Sequence, residues 1–177
     1  MELQFNNDIT AKSHQKINLC YQCKKCGAGC PVSDIMQTQN YQIIRLIQRN
    51  ERERVLSSNT QWVCLSCKTC SARCPNGIDV AKILDTLKAE ALAANTFLPE
   101  RKIAIFNFAF LLTLRQFGRM FDLGLIAYYK MMTGTFLQDL SLGLLLIRRG
   151  KLKFFPHRIK RIREIRMIFS QIRKKNI

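Results

Sequence analysis

Residues 20–31 read CYQCKKCGAGCP and residues 64–75 read CLSCKTCSARCP. Both follow one pattern, Cys-x-x-Cys-x-x-Cys-x-x-x-Cys-Pro, and together they contain all eight cysteines of the 177-residue chain. This is the spacing of ferredoxins that hold two cubane iron–sulfur clusters. Three cysteines at i, i+3 and i+6 on a tightly turning loop bring three thiolates to three corners of one cube. The fourth thiolate comes from a remote direction, supplied by the other motif. The expected ligand sets are therefore Cys20, Cys23, Cys26 and Cys74 for one [4Fe–4S] cluster, and Cys64, Cys67, Cys70 and Cys30 for the second. Pro31 and Pro75 fix the backbone as it leaves the fourth cysteine of each motif, and each removes an N–H that would need a partner.

Small or polar residues fill the gaps: Gly27, Ala28 and Gly29 in the first copy, Ser66, Thr69, Ser71 and Ala72 in the second. A cluster with four thiolates is an anion and needs backbone N–H groups aimed at its sulfurs. Glycine is expected to supply the φ values for this. A disulfide scaffold fits poorly, since the N-terminus MELQFNNDIT lacks the basic start, apolar segment and cleavage site of a secretory signal. Two zinc sites would leave the third Cys-x-x-Cys step and the Cys-Pro pair without a reason.

Twenty-nine Lys and Arg against twelve Asp and Glu give a net charge of +17. The excess is uneven: residues 148–177 hold twelve basic side chains and one acid, Glu164. Such a tail suits an acidic partner, an anionic membrane surface or nucleic acid. No membrane-crossing helix is expected, because the longest apolar stretch, Ile103 to Leu114, is interrupted by Asn107 and ended by Arg115, whereas a span needs about 20 apolar residues. The expected compartment is the cytoplasm, where oxygen-sensitive clusters and reduced thiols are at home.

The period of apolar residues is helical and strand-like alternation is scarce, so the fold class is expected to be all-α. Residues 1–17 read as an extended or irregular leader whose Phe5 and Ile9 are able to pack on the cluster domain or on a partner. Residues 18–96 are expected to form a helical ferredoxin-like domain with both clusters. Within it, one helix is capped by Thr38 and runs through Val55-Leu56, and another is capped by Asp79 and runs from Val80 to Ala94. Residues 97–177 are expected to form a helical region with a basic tail, in segments from Pro99 to Phe117, Leu123 to Met132, Thr135 to Arg149 and His157 to Ile172. These segments carry more apolar surface than they readily hide among themselves; partner docking and an ordinary helical core with a solvated basic face account for it about equally.

The stretches INLCYQCKKCGAGCPVS (17–33), CLSCKTCSARCPNGIDV (64–80) and RRGKLKFFPHRIKRIREIRMIF (148–169) together resemble the iron–sulfur C subunit of heterodisulfide reductase. The cysteine motifs alone are shared with other helical ferredoxin modules, including relatives of succinate dehydrogenase; the Gly-Lys…Pro-His-Arg-Ile-Lys tail narrows the match. The resemblance implies an electron relay through two [4Fe–4S] clusters, from a flavin-bearing A subunit to a disulfide-reducing B subunit. In methanogens the substrate is the heterodisulfide of coenzymes M and B, with electron bifurcation at the flavin. A hydrogenase or formate dehydrogenase module is a further implied partner, and bacterial relatives serve other metabolisms such as sulfur oxidation.

The residues agree with a relay. There is no nucleophile–base pair and no phosphate-binding glycine loop, so no catalytic residue is expected; His14 reads as a surface residue and His157 as a capping or packing one. Lys24, Lys25, Lys68 and Arg73 set positive charge beside the cluster motifs, as tuning groups, docking contacts or plain solvated surface. A nucleic-acid-binding iron–sulfur protein is the alternative of another class. It is disfavoured because the Ile and Phe spacing of the tail suits packing and no aromatic stacking platform is present.

Overall fold

A computed structural model describes residues 4–94, 100–135, 145, 148–149, 159 and 161–175, with side chains to residue 172. Among the described residues there are helices and no strands, so the all-α expectation holds. The chain divides into two compact units, Met1–Arg101 and Lys102–Ile177.

The first unit contains α1 (Gln4–Ser13), a 3-10 turn at Ile17–Leu19, α2 (Lys25–Ala28), a second 3-10 turn at Ser33–Ile35, and α3 (Asn40–Gln48). It continues with α4 (Arg52–Leu56), α5 (Thr60–Val63), α6 (Thr69–Ala72) and α7 (Val80–Ala93). A shift of 44 residues carries Cys20 onto Cys64, α2 onto α6, α1 over α4, the first 3-10 turn onto α5, and α3 into α7. The packing repeats with it. Helix α1 lies on α7 and α3 as α4 lies on α3 and α7, and α2 meets α3 as α6 meets α7. The two halves form a pseudo-twofold pair, with α2 against α6 at the join.

The core is aliphatic: Ile9, Ile17, Ile43, Ile44, Ile47, Val55, Leu56, Ile83, Leu84 and Leu87 are fully buried. Burying each such side chain is worth about 1.5–3 kcal/mol. The expected irregular leader is instead helix α1, and it joins this core through Phe5 and Ile9. Its buried Asn6 is matched by Asn50, whose Oδ1 accepts from the Asn6 N–H at 2.9 Å, and by Asn18, whose Oδ1 accepts from Asn6 Nδ2 at 2.7 Å. Only tertiary partners make that helix.

The expected single helix from Thr38 to Leu56 is two. Helix α3 stops at Gln48, Asn50 takes a left-handed turn at φ 57, and α4 restarts at Arg52. The Gln39 N–H, capped by Gln42 Oε1 at 2.8 Å, opens α3 in place of Thr38. Asp79 does cap α7, accepting the Lys82 N–H at 3.1 Å. Burial opposes ionisation of Asp79, but the Ser71 hydroxyl, the Lys82 N–H and the Lys68 ammonium outweigh it and lower its pKa. The stabilisation is therefore complete above the ordinary value of 3.8 and is lost as pH falls through the lowered one. Asp79→Ala is expected to cost about 1 kcal/mol in urea unfolding at neutral pH, a deficit that closes in acid.

The second unit contains α8 (Arg101–Phe117), α9 (Asp122–Thr133) and α10 (Ile162–Lys175). Gly118 ends α8 at φ 77, where the backbone approaches Ile159 so closely that a Cβ would lie 2.3 Å from its Cγ1. Phe106 meets Tyr129 edge to face at 6.2 Å, and Tyr128 donates to Gln116 Oε1 at 3.1 Å. In this unit only Ala109, Thr113 and Leu125 are buried among the described side chains. Phe108, Leu111, Met131, Met167, Ile168 and Ile172 are exposed. Most of the expected helix over Thr135 to Arg149, apart from residues 135, 145 and 148–149, and the segment around His157 lie outside the described residues, and no described helix is long and apolar enough to cross a membrane.

Candidate metal centre

Each cysteine loop turns into a one-turn helix through a pair of left-handed residues. Gln22 and Lys24 both have φ 64, and their counterparts Ser66 and Lys68 have φ 52 and 60. A non-glycine residue held in this region costs about 1–3 kcal/mol and persists only where its surroundings over-determine it. Left-handed residues alternating with ordinary ones turn neighbouring N–H groups to one concave side, which suits an anion. Ser66 N–H already points at Cys64 Sγ, 3.4 Å away.

The glycines play a different part from the expected one. Gly27 lies in α2 and Gly29 has φ −110, so neither takes the left-handed turn. Their role is close approach: a Cβ on Gly29 would lie 2.5 Å from the Arg73 guanidinium, and one on Gly27 would lie 3.1 Å from the Tyr41 ring. The strained positions fall on polar side chains, in both copies alike.

Cys20, Cys23, Cys26 and Cys74 line one cavity, with Tyr41, Ile44, Ile78 and Val80 as its apolar wall. Cys64, Cys67, Cys70 and Cys30 line a second, with Val32, Asn40, Thr69 and Ala81. Both cavities are partly open to solvent. Three cysteines of each copy thus stand around one cavity with the fourth cysteine of the other copy. The crossing is held on the first site by Asn76, two residues past Cys74, whose amide donates to the carbonyl of Leu19, and by the Asp79 N–H, which donates to Gln15 Oε1 at 2.8 Å. Gln48 Nε2 donates to the carbonyls of Ile17 and Cys20, both at 3.1 Å, and fastens the first loop to α3.

Among the described residues no three Cys, His, Asp or Glu side chains converge on a point that suits a single metal ion. The four thiols of each set line one cavity, as a thiolate-held cluster needs. Four soft sulfur donors, no carboxylate or imidazole in either lining, and clustered N–H groups fit a thiolate-held iron–sulfur cluster.

Burial pushes the Cys26 thiol up to about 11, with the neighbouring Cys20 and Cys70 sulfurs adding to it, and burial raises Cys70 as well. Bare thiolates are disfavoured there, so deprotonation comes with metal ligation. Cys67 is lowered, by the Thr69 hydroxyl first and by the Thr69 N–H second. Cys23 and Cys67 are exposed, which leaves each site one face near the surface. Tyr21 and Leu65, at matching positions after the first cysteine of each loop, are exposed as well.

The cations expected beside the clusters are mostly engaged. Lys68 pairs with Asp79 at 3.5 Å, and Lys24 Nζ lies 5.8 Å from the Tyr41 ring centre. The Arg73 guanidinium covers Gly29. Asn40 escaped the sequence reading. It is 1 % exposed and lines the second cavity, and its Oδ1 has no hydrogen-bond partner. An Asn at a helix start reads as a solvated cap; only comparison with Leu84, its counterpart in the second half, would have singled it out.

Residues 16–78 match the 4Fe-4S dicluster domain family. The chain is 26% identical over 102 residues to the C subunit of the H(2):CoB-CoM heterodisulfide,ferredoxin reductase of Methanothermobacter marburgensis, covering 58% of this chain and 55% of that one. It is 36% identical over 73 residues to the iron–sulfur C subunit of the CoB–CoM heterodisulfide reductase of Methanopyrus kandleri, covering 41% and 36%. It is 34% identical over 83 residues to the C subunit of the ferredoxin:CoB-CoM heterodisulfide reductase of Methanosarcina mazei, covering 47% and 51%. The matches thus span about half the length of these relatives or less. Residues 16–78 are thus similar to 4Fe-4S dicluster domains, and the chain is similar to the iron–sulfur C subunit of heterodisulfide reductases.

Proposed function

We propose that this chain is the electron-transfer subunit of a heterodisulfide reductase complex. It holds two [4Fe–4S] clusters, one on Cys20, Cys23, Cys26 and Cys74 and one on Cys64, Cys67, Cys70 and Cys30. It relays electrons from a flavin-bearing A subunit to a disulfide-reducing B subunit, in the cytoplasm. The observation that carries the reading is the pair of four-cysteine cavities, each built from both copies of the motif. The names of the relatives supply the setting.

A cubane cluster bound in either cavity takes up and gives back one electron at a time. The chain's own part is to fix the four sulfurs, turn N–H groups toward them and bring the two sites together through α2 and α6. Cys23 and Cys67 give each site a surface-facing edge for exchange with a partner, rimmed by exposed Tyr21 and Leu65. Residues 18–96 form the cluster domain, with residues 1–17 closing its core, and residues 97–177 dock on the other subunits. The exposed Phe108, Leu111 and Met131 support that last assignment, because apolar surface of this kind is normally covered.

Gentle anaerobic purification from the native source is expected to yield the chain with a flavoprotein and another cysteine-rich protein. Redox-poised EPR is expected to show two interacting cubane signals. A chain isolated free of partners, or one without cubane signals, would overturn the reading.

A further inference from the structure

We infer that Asn40 donates a hydrogen bond to the cluster held by Cys64, Cys67, Cys70 and Cys30, and thereby holds its reduction potential above the value the cysteines alone would give; this rests on the two-cluster reading above. Asn40 opens α3, is buried, and lines the cavity ringed by those four cysteines. Its amide has two N–H donors and one carbonyl. Its one hydrogen bond is long: Nδ2 to the Cys26 carbonyl at 3.4 Å. Its Oδ1 has no partner. A buried amide left this poorly matched is destabilising, so it needs a further partner.

The cavity decides which partner. Its lining holds the four cysteines, apolar carbon, the Thr69 hydroxyl and Lys68, whose ammonium pairs with Asp79, and a thiolate-held cluster accepts hydrogen bonds while donating none. Nδ2 carries two N–H groups; one stays on the Cys26 carbonyl and the other is presented to the cluster. Reduction adds negative charge to the cluster, and a donor stabilises the more negative form. Hydrogen bonds to the sulfurs are among the established determinants of cluster potential. Low local dielectric strengthens the effect at a buried site.

The device is one-sided. The 44-residue shift carries Asn40 onto Leu84, a fully buried core residue, and the Cys20 cavity is walled by Tyr41, Ile44, Ile78 and Val80. Thr69 Oγ1 lies 3.4 Å from Cys67 Sγ, but this contact is exposed and water competes there; its counterpart Lys25 has no hydroxyl. Gln22 donates to Cys20 Sγ at 3.4 Å on the other site, but it is partly exposed, where water competes for the same sulfur. The nearby charges pair with each other on the surface, Lys68 with Asp79 and Lys88 with Asp85, and are screened. The buried amide is the difference that solvent does not level.

The test is an EPR-monitored redox titration of the holo protein and its Asn40→Leu variant, with the two midpoints assigned by Cys74→Ser, which keeps the Cys64 set intact. Asn40→Leu is expected to shift the reduced-to-oxidised ratio of the Cys64 cluster about tenfold toward oxidised at fixed potential, a fall of about 59 mV for a one-electron couple. The other midpoint stays put. Should Asn40→Leu fail to take up clusters, Asn40→Ser and Asn40→Ala give the same reading, since they differ by one hydroxyl donor. Unchanged midpoints, or an equal shift of both, overturn the inference. Wild-type protein without two reducible clusters overturns the functional reading instead.

Discussion

Replacing Cys74 by Ser is expected to abolish the cluster of Cys20, Cys23 and Cys26, which lie in the other copy of the motif, and to leave the neighbouring Cys64, Cys67 and Cys70 cluster intact. The reason is spatial. Cys74 follows Cys70 by four residues, yet it lines the cavity of Cys20, Cys23 and Cys26. The Asn76 bond to Leu19 and the Asp79 bond to Gln15 hold it there. Serine is nearly isosteric but supplies a hard, weakly acidic hydroxyl in place of a soft thiolate. Iron and labile sulfide are each expected to fall to about half after anaerobic reconstitution, and magnetic coupling between clusters to disappear. Cys30→Ser is expected to do the converse, leaving only the Cys20 site. If Cys74→Ser removed the Cys64 cluster instead, each motif would serve its own cluster and the crossed assignment would be wrong.

How far such an experiment could be designed from sequence varies along the chain. The spacing by itself suggests the cysteine grouping, because a turning loop with a three-residue step reaches three corners of a cube and no more. The bounds of α7, α8 and α9 were legible to within about two residues, since Asp79, Gly118 and Gly134 mark them. The break inside the first helical stretch was not. Its only mark is a gap: residues 48–54, between Ile47 and Val55, are all polar, and the left-handed Asn50 is one polar residue among them. Helix α1 was hidden for another reason. Only Phe5 and Ile9 mark its inner face, and its buried Asn6 is tolerable only because Asn18 and Asn50 stand opposite. The loop strain was misplaced onto glycine, because composition shows which residue tolerates a left-handed turn but not which one the chain compels into it. Outside the cysteine motifs the paired helices share no evident sequence, so their matched packing shows only in three dimensions.

That division between a self-sufficient core and a compelled loop makes the response to cluster removal specific. Anaerobic removal of iron with a chelator under mild denaturation is expected to strip hydrogen-exchange protection from residues 20–30 and 64–74, while α3 and α7 keep theirs. Helices α2 and α6 are four residues each, far below the roughly 12–15 at which an isolated helix becomes even marginally stable. Gln22, Lys24, Ser66 and Lys68 hold left-handed turns that each cost about 1–3 kcal/mol, with four anchored sulfurs and their N–H contacts as the compensation. Take the anchors away and the loops relax. The core answers to different forces: Ile9, Ile43, Ile47, Leu84 and Leu87 are buried against one another and none lines either cysteine cavity. Exchange measured by mass spectrometry on peptides across α3 and α7 is expected to slow or hold steady relative to the loops, by a margin of at least tenfold in rate, about 1.4 kcal/mol in local opening free energy. Should α7 lose protection together with the loops, the clusters would be part of the core itself. The unit would then fold only with its iron, as small metal-nucleated domains do.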